Sequence, residues 1–126
     1  MDLTILATFA FLLTLKHTIC DLALQRLFPA NKIFYFNPPA HVHYFHHGLG
    51  SLLCGLIIGW QFALIIGVID YFAHWHIDYT KTIVREKYNM ISSEDRYWVL
   101  QTVDQALHFA TYYVFVLMLS LIHISE

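Results

Sequence analysis

The sequence predicts an all-α fold, a polytopic membrane protein in which four transmembrane helices form one bundle. Hydrophobic residues make up 58% of the 126 residues and charged residues only 13%, which is too apolar for a typical soluble domain. The apolar residues fall in long runs that are separated by short polar or proline-containing stretches. A chain of this length is expected to form a single domain, residues 1–126.

The first predicted helix covers about residues 3–24. It is apolar at first and then turns polar, and its His17 and Asp21, four residues apart, share one helix face. The stretch that follows, residues 26–37, is broken by Pro29 and is rich in aromatic residues. This composition predicts a connection that lies in the membrane interface instead of crossing it.

The second and third helices are predicted at about residues 38–58 and 62–87, with a tight hairpin at residues 59–61 between them. The second begins with a histidine-dense turn in which His43 and His47 share a face. The third carries polar residues at a spacing of four along an otherwise apolar stretch, which forms one polar stripe on a helix. The members of this stripe are Asp70, His74 and Asp78.

The fourth helix is predicted at about residues 94–122 and carries Asp104 and His108, again four apart. Each helix therefore has a polar pair, and the position of each pair can be measured from the membrane end of its own helix. At a rise of about 1.5 Å per residue, the four histidines lie roughly 20 Å from one membrane face, and their partners lie roughly 27 Å from it. The sequence thus predicts one polar layer across the bundle.

The distribution of basic residues predicts the orientation in the membrane. All the lysine and arginine residues are expected at the end of the bundle that carries the polar layer, and by the positive-inside rule that end is cytoplasmic. They are Lys16, Arg26, Lys32, Lys81, Arg85, Lys87 and Arg96. Both termini should then be non-cytoplasmic, and so few basic residues give no sign of nucleic-acid binding.

A histidine and an aspartate four residues apart can bind one metal ion, and facing helices can complete its coordination shell. Nitrogen and oxygen ligands without thiolate suit zinc, which we favour, or manganese or iron, at one or two divalent ions per chain. Asp70 extends beyond the pairs and is the predicted catalytic residue, as a base or as a group that orients a ligand histidine. The candidate ligands are His17, Asp21, His47, His74, Asp78, Asp104 and His108, with His43 as a further ligand or an orienting group.

A simpler interpretation of any single pair is a hydrogen bond that holds two helices together. Four pairs at one depth favour a metal site, because each buried carboxylate needs compensation. The remaining histidines have no partner at this spacing and are predicted to be interfacial polar residues; they are His41, His46, His76 and His123. Cys20 and Cys54 lack the spacing of a zinc or redox motif and are predicted to be buried free thiols.

Three strings of the sequence resemble motifs of a known family. They are KHTICDLALQ at residues 16–25, HWHIDYTK at residues 74–81 and DQALH at residues 104–108. These strings are similar to the K-x-H-x-x-x-D-x-x-L-Q, H-x-x-I-D-Y-x-K and D-Q-x-x-H motifs of the family called domain of unknown function 3307, except that Lys16 and His17 are adjacent. The resemblance implies a small integral membrane protein of a bacterial inner membrane, in some cases encoded by a phage, and it implies no activity. The layout is more distantly similar to inner-membrane metal-dependent hydrolases.

Three functions are compatible with these features. The first is a membrane-embedded metal-dependent hydrolase that acts on a lipid-like substrate near the cytoplasmic interface. The second is a non-haem di-iron lipid oxidase, because residues 43–47 read as the H-x-x-H-H box of membrane desaturases, although only one such box is present. The third is a non-catalytic phage or bacterial protein that acts on a host membrane complex and uses a metal or a His/Asp network only to hold its helices.

Overall fold

The computed structural model describes the backbone of residues 1–124 and the side chains of residues 1–122, and this part of the chain is helical without any strand. The all-α prediction is therefore confirmed. Four long helices are present, and the first continues through a π-helical stretch, Ile19–Leu24. The helices are α1 (Leu3–Leu27), α2 (Pro38–Gly55), α3 (Trp60–Lys87) and α4 (Asp95–Ile124).

Two of these helices, α1 and α4, are long and apolar enough to cross a membrane, with mean hydropathies of 1.7 and 1.6. Only 28% and 22% of their most apolar stretches are buried within the protein. The central helix of a soluble protein would bury most of such a stretch. The described helices thus include two candidate membrane spans, and a crossing by all four stays a prediction.

The turn between α2 and α3 lies earlier in the sequence than expected. The last helical residue of α2 is Gly55, whose carbonyl oxygen accepts from the backbone N–H groups of Ile58 and Gly59 at 2.9 and 3.2 Å. Gly59 then caps α3, where its carbonyl oxygen accepts from Ala63 at 3.0 Å. Trp60 therefore belongs to α3 and not to the predicted hairpin, because these bonds close the turn within residues 56–59.

Helices α2 and α3 pack closely because glycines face each other at their crossing. A Cβ atom on Gly48 would lie 2.9 Å from the carbonyl oxygen of Gly67, and one on Gly67 would lie 3.0 Å from that of Gly48. Near the turn, a Cβ atom on Gly55 would lie 2.8 Å from the Cα atom of Ala63. Small residues at such crossings let two helix backbones approach each other, as is common in membrane bundles.

One apolar cluster joins all four helices at the end that holds the α2–α3 turn. It includes Phe9 near the start of the chain, Phe62 beside the turn and Leu119 near the other end of the chain. The rings of Phe9 and Phe62 meet edge to face, with centroids 5.6 Å apart. The beginning of α1, the α2–α3 turn and the end of α4 therefore lie at the same end of the bundle, as the polar-layer prediction requires.

The connection between α1 and α2 packs against α3. Tyr35 lies on Trp75, with ring centroids 4.5 Å apart, and its carbonyl oxygen accepts from the indole N–H at 3.0 Å. Phe34 and Phe36 remain 65% and 74% exposed, which suits a segment at a membrane interface. The same connection places Lys32 in the interior, where its side chain is buried.

Candidate metal centre

The polar stripes of the four helices meet in the interior of the bundle. All the predicted ligands lie in one network of contacts between imidazole nitrogens and carboxylate oxygens. Each is buried except Asp21, whose side chain is 17% exposed. The predicted layer therefore brings together His17, Asp21, His43, His47, His74, Asp78, Asp104 and His108.

The first group that could hold a metal ion consists of Asp21, His43, His47 and His74, whose ligand atoms lie within 4.8 Å of one another. The Oδ1 atom of Asp21 is the common neighbour of the three rings. It lies 2.7 Å from the Nε2 atom of His47, 3.4 Å from that of His43 and 3.6 Å from that of His74. Helices α1, α2 and α3 each contribute to this group.

The second group consists of His74, Asp78 and His108 and adds a residue from α4. The Oδ1 atom of Asp78 lies 3.0 Å from the Nε2 atom of His108. Its Oδ2 atom lies 3.3 Å from the Nε2 atom of His74 and 3.4 Å from that of His43. The two groups adjoin, because His74 belongs to both and His43 faces both carboxylates.

The imidazoles of His43 and His74 are the least satisfied polar groups of the site. Both nitrogens of each ring are buried, and none of them makes a hydrogen bond within the described part of the chain. A buried polar atom without a partner is costly and rare. Their Nε2 atoms lie 3.3–3.6 Å from the oxygens of Asp21 and Asp78. Ligands at about 2.0–2.2 Å from a tetrahedral ion are separated from one another by about 3.3–3.6 Å.

Three of the histidine rings are stacked. The ring of His74 lies between those of His47 and His108, with centroid separations of 3.4 and 4.0 Å and interplanar angles of 17° and 21°. A positive charge on all three stacked rings is unfavourable, because like charges repel at this separation. Neutral imidazole is the form that binds metal ions, so the stacking is compatible with a metal centre.

Lysines neutralise most of the buried carboxylates. Lys16 contacts Asp70 at 2.6 Å, Lys32 contacts Asp78 at 2.6 Å and Lys81 contacts Asp104 at 3.2 Å. With Asp21 there are four carboxylates and three ammonium groups, which leaves one negative charge when the histidines are neutral. Asp21 is the carboxylate without a lysine, and imidazoles surround it instead. The remaining charge favours a bound cation.

Asp70, the predicted catalytic residue, lies behind the site and not among the ligand atoms. Its Oδ2 atom accepts from the Lys16 ammonium at 2.6 Å and from the Ser51 hydroxyl at 2.5 Å. Lys16 in turn lies 3.2 Å from the Nδ1 atom of His47. Direct proton transfer by Asp70 is therefore the less suitable of its two predicted roles, because Lys16 separates its carboxylate from the ligand atoms. The orienting role, exerted on His47 through Lys16, fits this position.

His17 and Asp104 lie at the edges of the network and belong to neither group. The Nε2 atom of His17 is 2.9 Å from the Oε1 atom of Gln105 and 3.1 Å from Asp21, and its Nδ1 atom is 2.8 Å from the Tyr112 hydroxyl. Hydrogen bonds thus engage both of its nitrogens. The Oδ1 atom of Asp104 is buried without a hydrogen bond and lies 3.4 Å from His108. These positions suit residues that orient the ligands beside them.

Several residues of the site were not among the predicted ones. Ser51 and Tyr112 each extend a predicted stripe by one turn, since they follow His47 and His108 by four residues, and this spacing could have revealed them. Gln105 lies next to Asp104 in the sequence, and its amide bridges the carboxylates of Asp21 and Asp104. Lys32 lies in a non-helical segment, where no periodic signal exists.

Three of the histidines that were predicted to be interfacial have described side chains, and these lie outside both groups. The ring of His46 packs edge to face on Phe28, with centroids 5.5 Å apart, so residues 43–47 do not converge as a histidine box. His41 binds the Tyr71 hydroxyl, and His76 binds the Tyr35 hydroxyl. The side chain of His123 lies outside the described residues. Cys20 and Cys54 are buried free thiols, which confirms that prediction.

Comparisons with known proteins give no information about the site. A scan against family models matches no family, and searches of the curated proteins and of the solved structures find no match. The resemblance to the family called domain of unknown function 3307 therefore rests on its three motifs and stays a prediction.

Proposed function

We propose that this protein is a membrane-embedded, metal-dependent hydrolase that acts on a lipid-like substrate at the cytoplasmic end of the bundle. The observation that carries the proposal is the pair of buried, unpaired imidazoles of His43 and His74. Their Nε2 atoms lie 3.3–3.6 Å from the carboxylates of Asp21 and Asp78. A network held only by hydrogen bonds would bring these nitrogens within bonding geometry of an oxygen, whereas ligands of a shared ion need the wider spacing.

The donors support one ion or two. Asp21, His43, His47 and His74 would hold the first, and Asp78, His108 and a shared carboxylate would hold the second; with a single ion, His74 could serve either group. Zinc is the favoured ion because the set is rich in imidazole and lacks thiolate, and manganese and iron accept the same donors. A bound ion supplies an activated water and polarises the oxygen of an ester.

The chain's own residues orient the ligands. Gln105 donates to the Oδ2 atom of Asp21 at 3.4 Å and accepts from His17 at 2.9 Å when the Nε2 atom of that ring carries the proton. Asp21 is thereby held with its Oδ1 atom toward the other histidines. On the opposite side, Asp70 holds Lys16 against the Nδ1 atom of His47. Such outer contacts fix the rotamers of ligands and tune their basicity.

The surface of the bundle supports a membrane location. Large apolar side chains are exposed on every helix, for example Phe11, Leu53, Val68 and Val114 at 48–63% exposure. So many exposed large apolar side chains are typical of contact with lipid. The family resemblance implies the inner membrane of a bacterium or a phage-encoded origin, and the basic residues imply non-cytoplasmic termini.

Hydrolysis of chromogenic esters by purified protein tests the proposal. Protein in a non-ionic detergent is loaded with zinc or manganese and offered p-nitrophenyl butyrate, p-nitrophenyl phosphate and bis(p-nitrophenyl) phosphate. We expect metal-dependent release of nitrophenolate from at least one ester, loss of that release after chelation and its recovery when the ion is restored. Substitution His74→Ala should lower the rate by about 100-fold or more, because it removes a ligand common to both groups.

The matched control is His76→Ala, which removes an imidazole two residues away that is bonded to Tyr35. This variant should keep the rate of the wild type. If folded, metal-loaded protein cleaves none of the esters, or if His74→Ala and His76→Ala cleave equally well, the hydrolase proposal is wrong. Iron with an oxo-bridged absorption spectrum in the purified protein would instead favour the oxidase.

A further inference from the structure

A cavity of about 550 Å³ opens beside the metal centre, between α1, the end of α3 and α4. His17 and Asp21 lie in its wall on the side of the metal centre, and Gln105 lies next to them. Asp21 is the most exposed of the predicted ligands, at 17%. The cavity thus gives the described site a route to the outside, and its volume is typical of small-molecule sites.

Part of the cavity wall is basic. Lys81 and Arg85 are four residues apart on α3 and both line the cavity. Lys81 is held by Asp104 at 3.2 Å and by Gln101 at 3.4 Å, so its ammonium has a fixed position. Arg85 contacts only the half-exposed Glu86, at 3.3 Å, among the described contacts, and such surface pairs are weak. The guanidinium is therefore available to a ligand.

Counting charges favours an anion in this cavity. Three lysines and four carboxylates leave the site with one negative charge. One divalent ion would reverse that to one positive charge, and Arg85 adds another at the wall. An arginine fork matches the oxygens of a phosphate or carboxylate in a bidentate manner. A phosphate offers enough oxygens for Arg85, Lys81 and an ion at the same time.

The rim of the cavity is apolar and exposed. Leu22 of α1 and Trp98 and Phe109 of α4 line it, with exposures of 68%, 58% and 43%. These two helices are the candidate membrane spans, so an acyl chain in the bilayer would reach the rim directly. A ligand with a polar head and an apolar tail fits both parts of the cavity.

We infer that the cavity binds a phosphate-bearing amphiphile, with its phosphate between Arg85 and the metal centre and its tail along Leu22 and Phe109. This inference rests on the proposed function and names its substrate class. A free phosphate and a lipid phosphate would make the same contacts through the head group. We favour the lipid because the apolar rim can contact an acyl chain.

Calorimetric titration of the metal-loaded protein in dodecyl maltoside with dodecylphosphonate tests the inference. This compound contains a carbon–phosphorus bond and no ester bond, so a hydrolase cannot cleave it and its binding is measured without turnover. We expect saturable binding that Arg85→Gln weakens about tenfold, because a charge-assisted hydrogen bond is lost. Methylphosphonate, which has the same head and no tail, should bind at least about tenfold more weakly than dodecylphosphonate.

The matched control is Arg26→Gln, which removes an exposed arginine that does not line the cavity and should bind like the wild type. The inference would be overturned if the wild type, Arg85→Gln and Arg26→Gln bound dodecylphosphonate equally well. Such a result would indicate that the compound only partitions into the detergent micelles. Equal affinity for methylphosphonate would also overturn it, in favour of a free-anion site. Arg85-dependent binding without ester hydrolysis would instead contradict the proposed hydrolase and leave the anion site standing.

Discussion

Three lysines determine which residues of the site are available for a ligand. Lys16, Lys32 and Lys81 each pair with one buried carboxylate, at 2.6, 2.6 and 3.2 Å. Asp21 has no such partner and faces four imidazoles instead. Because a charge without a partner is costly in a buried site, Asp21 is the residue that a cation would stabilise most.

The pairing of Lys16 with Asp70 leads to a prediction about stability. Asp70→Asn leaves the Lys16 ammonium, which is 6% exposed, without its anionic partner. Removing one member of a buried ion pair costs about 3–5 kcal/mol, so we expect the free energy of unfolding to fall by that amount. We also expect the variant to bind the same amount of metal at saturating zinc, with a lower affinity, because Asp70 contacts Lys16 and Ser51 and not the ligand atoms. Denaturant titration and metal analysis measure the two quantities.

Asp2→Asn is the control for that variant. Asp2 caps α1 at the surface, where its Oδ1 atom accepts from the Thr4 N–H at 2.8 Å, and asparagine caps helices about equally well. Its unfolding free energy should match the wild type. If folded Asp70→Asn binds no metal even at saturating zinc, Asp70 belongs to the coordination shell, and its position behind the ligand atoms is wrong.

At the level of the helices, the site could be predicted because its residues repeat every fourth position. The pairs His43/His47, His74/Asp78 and Asp104/His108 each occupy one helix face. Polar residues on the inner face of an apolar helix must find one another in the interior, so this spacing predicted that these three pairs meet. The same spacing, extended by one turn, also includes Ser51 and Tyr112.

Other parts of the site had no signal in the sequence. The α1 helix widens to a π-helix at Ile19–Leu24, around Asp21, and no local propensity distinguishes such a turn from an ordinary α-helical one. Lys32 reaches Asp78 from a non-helical connection, whose path depends on the packing of Tyr35 on Trp75. The cavity beside Asp21 depends on how α1, α3 and α4 pack. These features result from tertiary packing and not from periodicity.

At the scale of the whole molecule, the two ends of the bundle differ in charge. Three basic residues are used inside the site, and those that remain for the surface lie at the end opposite the apolar cluster of Phe9 and Leu119. They are Arg26, Arg85, Lys87 and Arg96. The difference in surface charge between the two ends is therefore smaller than the sequence suggests, but the same end remains the more basic one.

This asymmetry predicts the topology in a bacterial inner membrane. Reporters fused before Met1 and after Glu126 should both report the non-cytoplasmic side, and a reporter inserted in residues 89–93 should report the cytoplasm. A cysteine placed at Trp60, which is 64% exposed beside the α2–α3 turn, should react with an impermeant reagent only from the non-cytoplasmic side. Termini on opposite sides, or labelling of position 60 from the cytoplasm, would contradict the four-span arrangement.

Metal analysis of the purified protein shows whether the buried histidines and aspartates bind a divalent metal ion. After gentle purification and dialysis against zinc, we expect one or two ions per chain. His74→Ala should retain less than about a tenth of that amount, because it removes a ligand of both groups. His76→Ala, in which the imidazole that binds Tyr35 is removed, should retain all of it. Circular dichroism confirms that both variants are folded. A folded wild type that takes up no metal, or equal metal in the two variants, would contradict the account.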